Sequence, residues 1–185
     1  MKQLFTVVFL FLCFTIFGQD KSNYVHYNKL TELKGTEYLV ASIENWGKMF
    51  STNSKYLLFI NTKKGESTQV DFPKKAYITD LLQIKIDSLN INKVLVVANT
   101  VNLDGNKSID WNDPRQVIII SPDGKEKVQL TEDKYFVSTW AVNNQTGAIV
   151  ITGHYDSNDN GKYDKTDKNE IQIYDLKTLK LINRI

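Results

Sequence analysis

The chain has 185 residues with a formal net charge of +2, and 42% of its residues are hydrophobic. That length is enough for one domain with its own core. The nearly balanced charge forms no basic stripe, which argues against a nucleic-acid partner. Past the N-terminus no apolar stretch is long enough to span a membrane.

The N-terminus has the pattern of a secretory signal peptide. Lys2 precedes an apolar stretch over residues 4–17, and the small residue Gly18 stands at a plausible cleavage site. We therefore predict a signal peptide over residues 1–18, a single domain over 19–185, and a secreted or periplasmic location. The only cysteine, Cys13, lies inside the signal. The mature chain must then be held together by a core, a metal or a partner.

Strand signals dominate the rest of the chain. Short runs of Val, Ile, Leu, Phe and Tyr alternate with clusters of Gly, Asn, Asp and Pro, as is typical of β-strands. No segment shows a helical period with caps. The runs lie, in chain order, at 38–41, 55–60, 94–98, 117–120, 148–152 and 171–174.

These runs belong to a repeated unit. At an offset of 54 residues, Val94–Ala98 matches Ala148–Thr152, and the runs that follow match in the same register. A degenerate first copy precedes them, so that the predicted repeats cover residues 37–78, 79–132 and 133–185. Each unit is predicted to hold four antiparallel strands, with a loop joining the second strand to the third.

That loop is acidic in the second and third units. Oxygen-bearing side chains stand at positions 1, 3, 5, 9 and 12 of both loops, which is the spacing by which one loop surrounds a calcium ion. The predicted ligands of the first loop are Asn102, Asp104, Asn106, the backbone carbonyl of Ser108, Asp110 and Asp113. Those of the second loop are Asp156, Asn158, Asn160, the backbone carbonyl of Lys162, Asp164 and Asp167. The corresponding segment of the first unit, residues 44–52, carries one carboxylate and is predicted to bind no metal.

The two loops are not equally good matches. Gly161 stands at position 6 of the second loop, where a sharp turn favours glycine. The first loop has Lys107 at that position, which is strained if φ is positive, and Asn102 in place of a carboxylate at position 1. We expect weaker calcium binding by the first loop.

The repeats resemble the blades of TolB-like β-propellers, through the turn Pro122-Asp123-Gly124 and the Leu130-Thr131 ending. The acidic loops resemble the calcium loops of EF-hand, dockerin and thrombospondin type 3 repeats. The resemblance implies an all-β fold of about three four-stranded antiparallel propeller-like repeats. A propeller needs at least four blades, so either two chains close a ring as a homodimer, or the sheets form an open array or a β-sandwich.

The self-contained loops favour a structural role for calcium. We therefore expect a non-catalytic structural or binding module, with a protein or glycan partner left open. The alternatives are a calcium-dependent secreted hydrolase and an inhibitor of a secreted partner. Trp111, inside the first loop, is expected to cover a neighbouring strand; stacking on a sugar is the alternative.

Overall fold

A computed structural model describes residues 27, 29–42, 55–161 and 163–185. The predicted signal peptide, Lys162 and the segment 44–52 lie outside these residues. Within them, regular structure consists of twelve β-strands and one short 3-10 turn, Asp87–Leu89. None of the described residues forms a helix long and apolar enough to cross a membrane.

The strands form three antiparallel sheets of four strands each, sheet 1 (β1–β4), sheet 2 (β5–β8) and sheet 3 (β9–β12), with spatial order equal to chain order within each sheet. The strands are β1 Lys29–Glu32, β2 Tyr38–Ser42, β3 Lys55–Asn61, β4 Glu66–Phe72, β5 Tyr77–Ile86, β6 Ile91–Asn99, β7 Arg115–Ile120, β8 Lys127–Gln129, β9 Tyr135–Asn143, β10 Ala148–Tyr155, β11 Lys168–Asp175 and β12 Lys180–Arg184. The prediction of an all-β chain built from three four-stranded antiparallel repeats is confirmed. β1 was not assigned from the sequence.

Sheet 2 lies between the other two sheets. The side chains of β6 alternate in direction along the strand: Val94 and Val96 belong to the apolar cluster shared with sheet 1, and Leu95 and Val97 belong to the cluster shared with sheet 3. This double coverage explains why the strand is apolar at consecutive positions. β7 follows the same rule, with five of its six residues buried.

The last strands of sheets 2 and 3 are exposed edges. All three residues of β8 and all five of β12 are exposed, which agrees with the mixed composition of residues 125–130. Both acidic loops occupy the predicted place in their sheets: residues 100–114 join β6 to β7, and residues 156–167 join β10 to β11.

Candidate metal centre

The carboxylate at position 12 closes each acidic loop. Asp113 is 3% exposed and Asp167 is 9% exposed. Each accepts hydrogen bonds from the backbone N–H groups at loop positions 2 and 9. The N···O distances are 2.7 Å from Leu103 and 2.8 Å from Asp110 in the first loop, and 2.9 Å from Ser157 and 2.8 Å from Asp164 in the second. The repeat found in the sequence is therefore also a repeat of hydrogen bonds.

In the first loop the side chains at positions 3, 5 and 9 converge. The Nδ2 group of Asn106 donates to Oδ2 of Asp104 and to Oδ2 of Asp110, both at 2.9 Å. The amide is the positive end of a dipole placed between two carboxylates. A cation would take the same electrostatic role.

The equivalent side chains converge in the second loop. Oδ2 of Asp164 accepts hydrogen bonds from Nδ2 of Asn158 at 2.8 Å and from Nδ2 of Asn160 at 2.7 Å. The hydroxyl and the backbone N–H of Thr166 donate to its other oxygen. These donors, Thr166 first, hold the pKa of Asp164 well below its usual range. Asp164 is thus a stable anion at the centre of the loop.

Position 1 distinguishes the two loops. Asp156 is buried, and its two oxygens accept the backbone N–H groups of Asn160 at 3.0 Å and Gly161 at 2.8 Å. Asn102 is exposed; its Oδ1 accepts the N–H of Gly105 at 3.0 Å and its Nδ2 donates to the carbonyl of Asn106 at 2.8 Å. At position 1 the first loop therefore has an exposed amide where the second has a buried carboxylate.

The backbone at position 6 differs from the expectation. Gly161 has a φ of 71°, but in the first loop the residue with positive φ is Gly105, at 70°, and not Lys107. Gly105 is at position 4 of the first loop. The residue at position 4 of the second loop, Asp159, also has a positive φ, of 57°. Lys107 therefore carries no left-handed backbone strain.

Position 7 was predicted to supply a backbone carbonyl. The N–H of Ser108 donates to Oδ1 of Asn106 at 2.8 Å, and the role of the Ser108 carbonyl stays a prediction. The second residue predicted for this role, Lys162, lies outside the described residues.

A calcium ion requires six to eight oxygen ligands, which these loops would have to supply. No group of three or more His, Cys, Asp or Glu side chains stands in metal-binding geometry among the described residues. The converging oxygens include asparagine amides, whose oxygen and nitrogen exchange places in a half-turn of the side chain. Such a turn of Asn158 and Asn160 would direct two carbonyl oxygens toward Asp164. Carboxylates and amide oxygens on one short loop fit calcium, a hard cation with flexible geometry.

The strand that enters the second loop carries a histidine in an aromatic stack. The ring of His154 is stacked on Phe136, with centroids 4.9 Å apart, and Tyr163 lies 4.3 Å away on a tilted plane. Its Nε2 is buried without a hydrogen-bond partner. Burial lowers the pKa of His154, against the opposing fields of Asp167 and Asp156. The neutral ring serves as packing for the base of the loop.

Trp111 does not cover a strand as predicted. Its side chain is 85% exposed, and that of Tyr163 on the second loop is 62% exposed. At that exposure the indole of Trp111 buries little of its surface against the sheet. Each acidic loop thus presents one aromatic side chain to solvent.

The segment between sheets 2 and 3 is tied to the second loop, which the sequence did not indicate. The N–H of Asp156 donates to the carbonyl of Lys134 at 3.3 Å, and Nζ of Lys134 lies 2.5 Å from Oδ1 of Asp159. Both groups of that ion pair are more than half exposed, so the pair contributes little to stability. Both contacts connect the second loop to the residue that precedes β9.

The comparisons with known proteins found one distant structural similarity. No family model matches the chain, and no curated protein matches it. Among solved structures it is similar to an acylaminoacyl peptidase of Pyrococcus horikoshii, with 8% sequence identity and a TM-score of 0.44. The match covers 88% of this chain and 25% of that enzyme, so the chain spans about a quarter of the enzyme's length. A likeness this distant carries no argument about activity, and the TolB-like assignment stays a prediction.

Proposed function

We propose that this chain is an exported β-repeat protein whose two acidic loops each bind a calcium ion. Calcium would stabilise the fold, and the protein would act as a structural or binding module without catalysis. The observation that carries the proposal is that the amide at position 5 donates to the carboxylate at position 9 in both loops, from Asn106 to Asp110 and from Asn160 to Asp164. One such loop could be an ordinary polar turn. Two loops with equivalent hydrogen bonds indicate a shared function.

Calcium binding at the two loops would add a modest amount to the stability of the domain. At free calcium ten times the dissociation constant, each site adds about 1.4 kcal/mol to the free energy of unfolding. Two sites then raise the melting temperature of a domain this size by roughly 6 to 11 °C. For a mature domain predicted to lack disulfides, this is a useful contribution.

A thermal melt in calcium and in chelator tests the proposal. The intact protein is expected to melt higher in calcium, and Mg²⁺ at the same concentration is expected to do less, because it demands a stricter octahedral geometry. A double variant, Asp110→Ala with Asp164→Ala, is the matched control and should show no calcium shift. Equal melting temperatures of the intact protein in calcium and in chelator would refute calcium binding.

The binding role is carried by the exposed aromatic side chains. Trp111 and Tyr163 stand on loops that calcium would hold rigid, and rigid aromatic groups bind partners at a low entropic cost. A glycan array and a protein pull-down, each with Trp111→Ala as the control, separate the two classes of partner. Loss of a captured ligand in the variant supports the role. Capture that is unchanged by Trp111→Ala assigns binding to another surface.

A further inference from the structure

The two acidic loops approach each other closely where Gly161 faces Asp104. Gly161 of the second loop is buried, and a Cβ on it would lie 2.8 Å from Cα of Asp104, 3.2 Å from its Cβ and 3.2 Å from its N. Cβ atoms do not approach backbone this closely, so the contact requires glycine. The glycine is therefore fixed by a neighbouring loop as well as by its own φ.

The contact joins the proposed ligands of both sites. The N–H of Gly161 donates to Oδ2 of Asp156 at 2.8 Å, so the position of the glycine depends on the first ligand of the second loop. On the other side, the carboxylate of Asp104 accepts both the backbone N–H and the Nδ2 of Asn106. A shift of Gly161 would displace the main chain that carries Asp104.

We propose that the two loops form one coupled calcium-binding unit, in which occupation of either loop raises the affinity of the other. This inference rests on the proposed function. Ordering the second loop would fix the surface on which Asp104 is held, and the reverse follows because coupling between two sites is reciprocal. The first loop has Asn102 in place of a carboxylate at position 1. Its calcium affinity would therefore depend on an ordered second loop.

The coupling predicts weaker calcium binding by the first loop when the second loop is disabled. Asp164→Ala disables the second loop at position 9, and Asp110→Ala disables the first loop at the equivalent position. Neither residue takes part in the contact between Gly161 and Asp104. In Asp164→Ala the first loop should bind calcium at least about fivefold more weakly than in the intact protein, the lower end of typical couplings. The second loop is expected to fill before the first, so its affinity should change less in Asp110→Ala.

Calcium titrations followed by the NMR signals of the Leu103 and Ser157 N–H groups, each bonded to the position-12 carboxylate of its own loop, report the loops separately. If the intact protein binds no calcium at either loop, the proposed function fails. If both loops bind and the first loop keeps its full affinity in Asp164→Ala, the coupling alone fails.

A measurement without metal checks the mechanical part of the inference. In chelator, Gly161→Ala should accelerate hydrogen exchange at the N–H of Leu103, which closes the first loop on Asp113, although no residue of that loop is changed. Gly65→Ala is the matched control: its φ is also 71°, and nothing lies within 4 Å of an added Cβ. Equal exchange rates at Leu103 in the Gly161→Ala variant and the unchanged protein would overturn the coupling.

Discussion

The hydroxyl of Tyr135 donates a hydrogen bond of 2.8 Å to the backbone carbonyl of Glu170. Tyr135 lies on β9 and Glu170 on β11, so the side chain reaches across β10, where the carbonyl of Ile151 lies 3.2 Å from the same hydroxyl. Glu170 follows the second acidic loop by three residues. One buried tyrosine therefore joins three strands of sheet 3 at the base of that loop.

Tyr135→Phe should lower the free energy of unfolding by about 1 to 2 kcal/mol, because the substitution removes a hydrogen bond and leaves buried carbonyls with one partner fewer. Urea denaturation with calcium absent measures the loss. Tyr163→Phe is the control, since its ring is 62% exposed. An equal, near-zero effect in both variants would show that the hydroxyl of Tyr135 does not hold the strands.

Alkaline pH should destabilise the fold through Tyr174. Burial raises the pKa of Tyr174 from 10.0 to about 12, and its hydroxyl donates to Oε1 of Gln172 at 2.8 Å. Above pH 10 the unfolded state loses the Tyr174 proton while the folded state keeps it. The contribution of Tyr174 to the free energy of unfolding is therefore complete below pH 10 and declines as the pH rises toward 12. Tyr174→Phe should flatten the fall in stability between those pH values. Identical pH profiles for the two proteins would contradict this account.

Gly153 should not tolerate a side chain. It is buried on β10, and a Cβ would lie 2.8 Å from Cζ of Tyr135 and closer still to the carbonyl of Phe136. Gly153→Ala is expected to cost about 3 kcal/mol or more, beyond the usual 1 to 3 kcal/mol of overpacking, because the neighbouring backbone cannot move aside. Gly65→Ala, where only φ is unfavourable, should cost about 1 kcal/mol. Comparable losses in the two variants would argue against the close approach.

The buried carboxylates of the loops should matter even without calcium. In Asp167→Asn, one of the two backbone N–H groups now bonded to the carboxylate would face an amide N–H₂. We expect a loss of about 1 to 3 kcal/mol in urea denaturation with chelator present. Asp159→Asn, at an exposed residue of the same loop, should cost less than 1 kcal/mol. A loss seen only in the presence of calcium would assign Asp167 to the metal alone.

Lys107 should weaken calcium binding by its charge and not by its backbone. The φ of Lys107 is not positive. Lys107→Gln and Lys107→Gly are therefore expected to raise the calcium affinity of the first loop to a similar degree, about two- to fivefold at moderate salt. Fluorescence of Trp111 in the same loop measures the dissociation constant. A gain found only with glycine would restore the backbone explanation.

The sequence by itself determined the local features of this protein. Strand runs bounded by turn residues, the offset of 54 residues and the position of each acidic loop were all correct in the structure. The consecutive apolar residues of β6 are those of a strand covered on both faces. These features follow from the period of side chains along a strand and from turn chemistry, both of which act over a few residues.

Only the tertiary structure decided how the loops are used. The contact of Gly161 with Asp104, the reach of Tyr135 to Glu170 and the exposure of Trp111 depend on how sheets stack and on what lies opposite each strand. The same sequence pattern wrongly placed Trp111 over a strand and suggested strain at Lys107. A pattern of residue types carries local propensity, whereas the distance between two loops on neighbouring sheets is set by the packing of the cores between those sheets.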